Sequence, residues 1–353
     1  MKIFIPLVSL IVISACSENK SSTYQYDFTP IDSIILGWID EGFYPGAAMC
    51  VVKDSSIIFE KSYGCVTDST PIYVASAGKW VAAATIAAAV EHSLLEWDDT
   101  VAQWLPEFVS DSKGTISLTQ LLSHTSGVRP YLPIPDVDNY NQLDSAVAAI
   151  LPLDTVFTPG KRFEYGGLAG RMAEKAMSMK YEQIFQTLIA TPLSMSNSHF
   201  TPINTDGGHA PMLAGGLRTT LSDYMHFLEM ISGNGNYRGN KVLSTENVAY
   251  MQTDHVRKAQ IPEGEYVSRG VGKSHNGIYG LGVWRELIDE NGEAYQISSP
   301  GWAGAYPWIN KRENVYGFFI AHVTGSMDRP EKGFNSFFGS PILSSTVSTI
   351  INK

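Results

Sequence analysis

The sequence predicts an α+β protein in which one antiparallel sheet is built from both ends of the chain. Two observations support this prediction. Segments with the apolar pattern of strands occur at about residues 47–66 and again after residue 277. The chain between these segments has the apolar spacing of helices. We therefore expect a sheet subdomain of about residues 28–90 and 270–353, flanked by helices, and an inserted, mostly helical subdomain of about residues 91–269.

Length, composition and charge limit the functions that this chain can have. It has 353 residues, of which 44% are hydrophobic, so it can bury a large core. Its formal charge is −10 at pH 7 and no basic run compensates for it, which argues against a nucleic-acid partner. The sequence contains no P-loop, no Gly-x-Ser-x-Gly motif and no Cys/His pattern for a metal site. We therefore expect neither a metal nor another cofactor.

The first 16 residues have the pattern of an export signal. A lysine precedes an apolar run from Ile3 to Ile13, and Ser-Ala-Cys16 follows. This ending resembles the lipobox of bacterial lipoproteins, in which the cysteine is lipidated and becomes the mature N-terminus. The resemblance implies an exported cell-envelope protein that is anchored to the membrane at Cys16, on the periplasmic or outer-surface side. A tether at 17–27 then leads to the domain at 28–353. The alternative is a cleaved, soluble secretory protein.

A hairpin with strands at 47–52 and 57–66 carries two cysteines. Its turn places Cys50 opposite about Phe59, and Cys65 then lies several residues further along the ladder. Strands rise about 3.3 Å per residue, so the two residues are too far apart for a disulfide. We expect two free thiols, although an exported protein permits disulfides.

The remaining elements follow from apolar spacing and turn signals. Helical spacing occurs at residues 30–42, 76–95, 97–108, 118–122, 142–150, 169–179, 181–191, 220–232, 244–252 and 335–351. A loop rich in Pro and Asp is predicted at 127–141. Strand patterns occur at 278–287, 293–298 and 314–323, with a turn at Glu290-Asn-Gly292.

A Ser-x-x-Lys pattern at Ser76 and Lys79 lies where a β-prone run gives way to an alanine-rich helical one. A serine at a helix start is close to unpaired backbone N–H groups, and a lysine three residues on falls on the same helical face. This is the geometry of a serine nucleophile that a neutral lysine amine activates. The pattern also begins at Ser17 and at Ser110, but only Ser76 follows a strand and opens a long helix. The alternative is a capping serine beside an exposed lysine.

Six motifs in one order resemble the serine β-lactamase-related superfamily, which includes class C β-lactamases, D,D-peptidases and esterases of β-lactamase fold. They span roughly residues 30–350 and are Tyr44-Pro-Gly-Ala-Ala, Ser76-Ala-Gly-Lys79, Leu121-Leu-Ser-His-Thr-Ser-Gly127, Pro159-Gly-Lys-Arg-Phe-Glu-Tyr165, Ala214-Gly-Gly-Leu-Arg-Thr-Thr220 and Tyr279-Gly-Leu-Gly-Val-Trp284. The resemblance implies a β-lactamase/transpeptidase-like fold. It also implies that Tyr165 shares protons with Ser76 and Lys79, and that the N–H groups of Ser76 and Ala305 form an oxyanion hole. His124 is expected to be a structural hydrogen-bonding residue rather than a base.

Two departures from the family pattern concern substrate binding. The family has Tyr-x-Asn, whereas here Tyr165 is followed by Gly166 and Gly167, so a carboxamide that contacts the substrate amide is absent. The family's Lys-Thr-Gly or His-x-Gly motif is replaced by Trp302-Ala303-Gly304. Gly167 and this tripeptide are expected to line the substrate site, with an indole in place of a cation that binds a substrate carboxylate.

These observations predict a serine hydrolase that cleaves an ester or amide of a small-molecule or peptide acyl substrate through an acyl-enzyme on Ser76. An esterase-like activity is favoured, because Trp302 cannot pair with a carboxylate. One alternative is a D,D-peptidase or β-lactamase that acts on peptidoglycan peptides or β-lactams. An alternative of another class is a non-catalytic protein that binds peptidoglycan fragments, although such a pocket has no need for a nucleophile and two proton carriers.

Overall fold

The computed structural model describes residues 25–130, 143–166, 181–200, 213–262 and 278–353. In these ranges the chain has the β-lactamase/transpeptidase-like α+β fold that the sequence predicts. The strands in chain order are β1 (Gly46–Lys53), β2 (Ser56–Gly64), β3 (Ile72–Tyr73), β4 (His199–Phe200), β5 (Leu217–Thr219), β6 (Asn236–Tyr237), β7 (Asn240–Lys241), β8 (Trp284–Ile288), β9 (Ala294–Ser298), β10 (Tyr306–Asn310), β11 (Val315–Ala321), β12 (Asp328–Arg329) and β13 (Phe334–Asn335).

Helices cover the sheet and fill the middle of the chain. The first two α-helices are α1 (Thr29–Asp40) and α2 (Gly78–Glu91). Further α-helices are Val101–Trp104, Leu118–Leu122, Leu143–Ile150, Tyr181–Phe185, Leu221–Ser232, Thr245–Gln252, Ser336–Gly339 and Pro341–Ile351. Single turns of 3₁₀-helix occur at Ala75–Ala77, Pro106–Phe108, Ser112–Thr115 and Pro330–Lys332, and Gln186–Ala190 forms a π-helical turn. None of the helices in the described ranges has the length and apolar character needed to cross a membrane.

The main sheet has six strands in the order β2-β1-β11-β10-β9-β8. Every neighbouring pair is antiparallel. Two strands from the first part of the chain therefore pair with four from the last part, through β1 and β11, as the sequence predicts. A smaller sheet in the order β3-β5-β4 lies beside the start of α2.

The predicted hairpin is formed by β1 and β2, with a register that differs by one residue from the prediction. Cys50 lies opposite Glu60, because a bulge after Val51 places an extra residue, Ile58, in β2. Cys50 is buried and Cys65 is exposed, and both are free thiols. The prediction that they form no disulfide is confirmed.

One strand of the main sheet was not predicted, and one predicted strand and one predicted helix have different bounds in the structure. β10 was not predicted, because its five residues Tyr-Pro-Trp-Ile-Asn are all buried and show no alternation, as expected for a central strand covered on both faces. The strand predicted at 278–287 begins only at Trp284. The helix predicted from Ser76 to about Leu95 begins as the 3₁₀ turn and ends at Glu91. The helix predicted at 169–179 and most of the loop at 127–141 lie outside the described residues.

The sheet is buried on both faces, so side chains of β1 enter two different cores. Ala48 and Cys50 pack with α2 and the helical subdomain, whereas Ala47 and Met49 pack with α1 and the C-terminal helix. α2 lies inside the larger core, and every residue from Gly78 to Ala89 is buried. This explains its alanine-rich sequence, because a helix covered on all sides needs small side chains and no polar face. The start of α2 is therefore fixed at the centre of the molecule.

Candidate active site

Ser76 lies in a tight turn between β3 and α2. The N–H of Val74 donates to the carbonyl oxygen of Leu217 in β5 at 3.1 Å, and the N–H of Ala77 donates to that of Val74 at 3.2 Å. Ala75 has a φ of +50°, a left-handed conformation that costs free energy for a residue with a Cβ atom. Such strain is typical of functional sites, where the surrounding structure maintains it. The turn presents Ser76 at the start of the buried helix.

The structure places Lys79 directly beside Ser76. Lys79 Nζ lies 3.0 Å from Ser76 Oγ and donates to the carbonyl oxygen of Ala214 at 2.6 Å. Only 9% of Lys79 is exposed. One N–H of the amine is thus directed to a fixed acceptor, and a neutral amine in this position can direct its lone pair to the serine hydroxyl.

The second Ser-x-x-Lys pattern, at Ser110 and Lys113, has a different environment. Ser110 is exposed, whereas Lys113 is buried. Lys113 Nζ lies 2.8 Å from Asp111 Oδ1 and donates to the carbonyl oxygens of Leu151 and Leu153 at 3.1 and 2.7 Å. This lysine therefore connects two loops of the helical subdomain. The pattern that begins at Ser17 lies outside the described residues.

Tyr165 lies close to the side-chain amine of Lys79. Lys79 Nζ lies 4.9 Å from the centre of the Tyr165 ring, and only 7% of Tyr165 is exposed. Tyr165 belongs to an aromatic cluster with Phe163, Tyr279 and Trp284. A cation or amine above a phenol ring is a favourable arrangement, and burial strengthens it. The structure thus brings together Ser76, Lys79 and Tyr165, the three residues that the sequence predicts as catalytic.

The turn before β10 carries the tripeptide Trp302-Ala303-Gly304 and lies against the Ser76 turn. The N–H of Gly301 donates to the carbonyl oxygen of Ala305 at 2.8 Å, and the N–H of Gly304 donates to that of Gly301 at 3.0 Å. A Cβ atom on Gly301 would lie 2.1 Å from the carbonyl oxygen of Val74, so only glycine permits this approach. The contact places the backbone of Ala305 next to the Ser76 turn.

The residues of this turn differ in exposure. Trp302 is 38% exposed, whereas Ala303 and Ala305 are fully buried, so neither alanine side chain can contact a substrate. Gly304 has a φ of +116°, and a Cβ atom there would lie 2.6 Å from the Tyr44 ring. The position of the Tyr44 ring therefore leaves room only for glycine at position 304. Gly167, Lys273 and Cys16 lie outside the described residues.

Sequence reasoning missed a row of side chains beside Trp302. The ring of His322 lies 5.8 Å from that of Trp302 and 5.9 Å from that of Tyr73, and the Arg218 guanidinium lies 5.8 Å from the Tyr73 ring. These residues come from four separate segments, so no local motif could indicate that they meet. In the described ranges no group of three or more His, Cys, Asp or Glu side chains is arranged to hold a metal ion.

A family model described as Beta-lactamase matches residues 32–336. The chain belongs to the β-lactamase family. Its fold is that of this family. A candidate β-lactamase from Bacteroides dorei DSM 17855, whose crystal structure is known, is 63% identical in sequence to this chain. The two structures align with a TM-score of 0.87 over 93% of this chain and 100% of that chain.

Other proteins that are similar to this chain have diverse descriptions. Protein flp of Staphylococcus aureus strain MW2 is 26% identical over 196 residues, which cover 51% of this chain and 39% of that protein. This chain therefore matches well under half the length of that curated relative. A family VIII carboxylesterase of known structure is 17% identical, with a TM-score of 0.65, and covers 85% of this chain and 92% of that chain. At this identity the likeness concerns the fold alone.

Proposed function

We propose that this β-lactamase-family protein is a serine hydrolase that cleaves neutral esters through an acyl-enzyme on Ser76. The observation that carries the proposal is the 3.0 Å distance between Lys79 Nζ and Ser76 Oγ at a buried helix start. A nucleophile within hydrogen-bonding distance of a base, with the base held by a third group, is the arrangement that covalent catalysis requires. Here the carbonyl oxygen of Ala214 holds the base.

In the proposed first step, Ser76 Oγ attacks the acyl carbon while its proton moves to Lys79 Nζ. The carbonyl π electrons move onto the oxygen, and the backbone N–H groups of Ser76 and Ala305 stabilise this oxyanion. Each such donor typically contributes about 3–4 kcal/mol. The proposal is supported by the packing of the Gly301–Ala305 turn against the Ser76 turn.

Collapse of the intermediate then expels the leaving alkoxide, which takes the proton of the Tyr165 phenol. The Lys79 ammonium, whose Nζ lies 4.9 Å from the centre of the Tyr165 ring, then returns a proton to the phenolate. Water next attacks the acyl carbon and gives a proton to the same pair. The bond between the acyl carbon and Ser76 Oγ then breaks, Oγ takes that proton back, and the acid is released. General acid–base steps of this kind typically accelerate a reaction by about 10²–10⁴-fold.

Trp302 favours a neutral ester over an anionic substrate. Its indole is partly exposed beside the proposed oxyanion hole and offers an apolar face with a single N–H donor. The alternative activity is that of a D,D-peptidase or β-lactamase. It is favoured by the similarity to the candidate β-lactamase from Bacteroides dorei, whereas the indole at position 302 argues against it. A purely binding protein is disfavoured by the assembled Ser76, Lys79 and Tyr165.

Covalent labelling followed by mass spectrometry tests the proposal. The protein is exposed separately to a fluorophosphonate, to p-nitrophenyl esters and to a β-lactam, and the modified peptide is sequenced. We expect the fluorophosphonate to modify Ser76 and the esters to be turned over, with little stable β-lactam adduct. Labelling of another serine contradicts the assigned nucleophile. A stable β-lactam adduct on Ser76 together with poor ester turnover favours the D,D-peptidase alternative.

We also propose that the chain is a lipoprotein anchored at Cys16, as the lipobox-like ending indicates. The Cys16→Ser variant should be exported and then found in the soluble fraction instead of the membrane fraction, because it lacks the thiol that accepts the lipid. Fractionation and immunoblotting of the full-length protein measure this. The Cys65→Ser variant is the matched control, since Cys65 is an exposed thiol, and it should remain with the membrane. Unchanged membrane retention of the Cys16 variant contradicts the lipid anchor.

A further inference from the structure

His124 holds the chain on both sides of Tyr165. The backbone carbonyl oxygen of His124 accepts from the N–H of Glu164 at 2.8 Å, and the side-chain Nδ1 accepts from the N–H of Gly166 at 3.4 Å. The residues before and after Tyr165 are thus bonded to a single residue. Gly166 also packs closely on Pro130, where a Cβ atom would lie 2.4 Å from the Pro130 Cα. Little freedom is left for the backbone of Tyr165.

The ring of His124 also contacts the ring of Tyr165. The two ring centres are 4.6 Å apart, and the His124 ring lies 5.0 Å from that of Tyr279 and 6.0 Å from that of Phe163. Only 7% of His124 is exposed, and its backbone has a φ of +59°. A left-handed conformation at a non-glycine residue persists only where its surroundings maintain it. Here it allows the carbonyl group and the ring of one residue to reach the same segment.

The protonation state of His124 follows from its surroundings. Burial lowers the pKa of His124 well below its usual range, and the charge of Lys79 lowers it further. The ring is therefore neutral near pH 7. Since Nδ1 accepts the Gly166 N–H, the single proton is on Nε2. Nε2 has no hydrogen-bond partner in the described part of the chain, so no second contact competes with the one to Gly166.

We propose that His124 is a positioning residue that holds the Tyr165 phenol where it can protonate the leaving group. The ring of His124 contacts Tyr165, whereas no described contact joins it to Ser76, so its effect on the reaction passes through the tyrosine. This inference rests on the proposed function. Small displacements of a proton donor typically reduce a rate by up to about 100-fold, so the effect should be measurable in the steps that depend on Tyr165.

Two variants separate the role of His124 as a hydrogen-bond acceptor from the role of its aromatic ring. His124→Phe keeps an aromatic ring on Tyr165 but removes the acceptor for the Gly166 N–H. His124→Asn removes the ring but retains an acceptor, because Asn Oδ1 is attached to Cγ in the same way as His Nδ1. Asparagine also tolerates a positive φ better than most residues. The His226→Phe variant is the matched control, since His226 lies on the helix Leu221–Ser232 with its ring beside Tyr237.

The readout is the dependence of kcat/KM, which reports the acylation step, on the leaving group for esters with one acyl group. An alkoxide must be protonated as it leaves, whereas p-nitrophenolate is stable without a proton. We expect His124→Phe to lower kcat/KM about 10- to 100-fold for the ethyl ester and less than about threefold for the p-nitrophenyl ester. The His124→Asn variant should retain most of the wild-type kcat/KM on the ethyl ester. His226→Phe should match the wild type on both esters.

A merely structural role of His124 gives a different result, because a general loss of packing lowers kcat/KM equally for both esters. Equal losses on the two esters, or no loss on either, overturn the proposal. If His124→Phe does not fold, as judged by circular dichroism, the test rests on His124→Asn, whose kcat/KM on the ethyl ester must exceed that of Tyr165→Phe by at least about tenfold. Failure of the proposed function is recognised separately, because the wild type would then show no Ser76-dependent turnover of either ester.

Discussion

The Ser76→Ala variant is expected to fold normally and to lose at least about 10⁴-fold in kcat on p-nitrophenyl esters. Removal of a serine nucleophile that acts together with its base has an effect of about this size or larger. The fold should not suffer, because the described hydrogen bond of the Ser76 side chain is the one with Lys79 Nζ, within the site. The turn is held instead by backbone bonds of Val74 and Ala77. Steady-state kinetics and circular dichroism measure the two outcomes.

Ser110→Ala is the matched control for this substitution. Ser110 begins the other Ser-x-x-Lys pattern in the described ranges, and its lysine bonds to Asp111 and to two carbonyl oxygens. We expect its activity to equal that of the wild type within about twofold, as for other exposed substitutions away from a site. If Ser110→Ala abolishes turnover while Ser76→Ala does not, the nucleophile has been assigned to the wrong serine.

The double variant Trp302→Lys with Gly167→Asn should gain activity on carboxylate-bearing penicillins and D-Ala-D-Ala peptides. A lysine at position 302 offers a charge-assisted hydrogen bond of about 1.5–3 kcal/mol, or roughly 10- to 100-fold in binding. An asparagine at position 167 restores the carboxamide that the family pattern has at this place. The wild type should prefer neutral short-chain esters. Values of kcat/KM for matched neutral and anionic substrates measure the change in preference.

Val109→Lys is the control for the added charge, because Val109 is 68% exposed in the helical subdomain, outside the proposed site. It should leave the preference unchanged. A wild type that already prefers the anionic substrates by tenfold or more contradicts our interpretation of Trp302. In that case another cation binds the carboxylate. Arg218, whose guanidinium lies 5.8 Å from the Tyr73 ring in the row of residues beside Trp302, is then the first residue to replace, followed by Lys273.

The sequence predicts the parts of this molecule that depend on local patterns. Ser76 and Lys79 are one helical turn apart, so their spacing alone indicates that they meet. The sheet from both chain ends follows from the strand patterns of β1, β2, β9 and β11. Tyr165 is more distant, and only the resemblance to a known superfamily connects it with the serine.

Other features depend on contacts between distant segments, which no local pattern reveals. β10 is central and fully buried, so it lacks the alternation of a half-exposed strand. The bulge after Val51 shifts the hairpin register, although both strands are predicted. His124 bonds to residues about 40 positions further along the chain, and its left-handed backbone is invisible in the sequence. The row of Trp302, His322, Tyr73 and Arg218 likewise exists only after folding.

The complete burial of α2 has a consequence for how the protein unfolds. Its side chains share one core with strand residues such as Phe318 and with residues of the helical subdomain such as Phe108 and Leu228. Neither subdomain can lose its structure without exposing this helix to water, so both are expected to melt in one cooperative transition. Since Ser76 and Lys79 lie at the start of α2, the midpoint of inactivation in denaturant should coincide with the midpoint of unfolding. Ser76 thus lies at the start of the helix on which the stability of both subdomains depends.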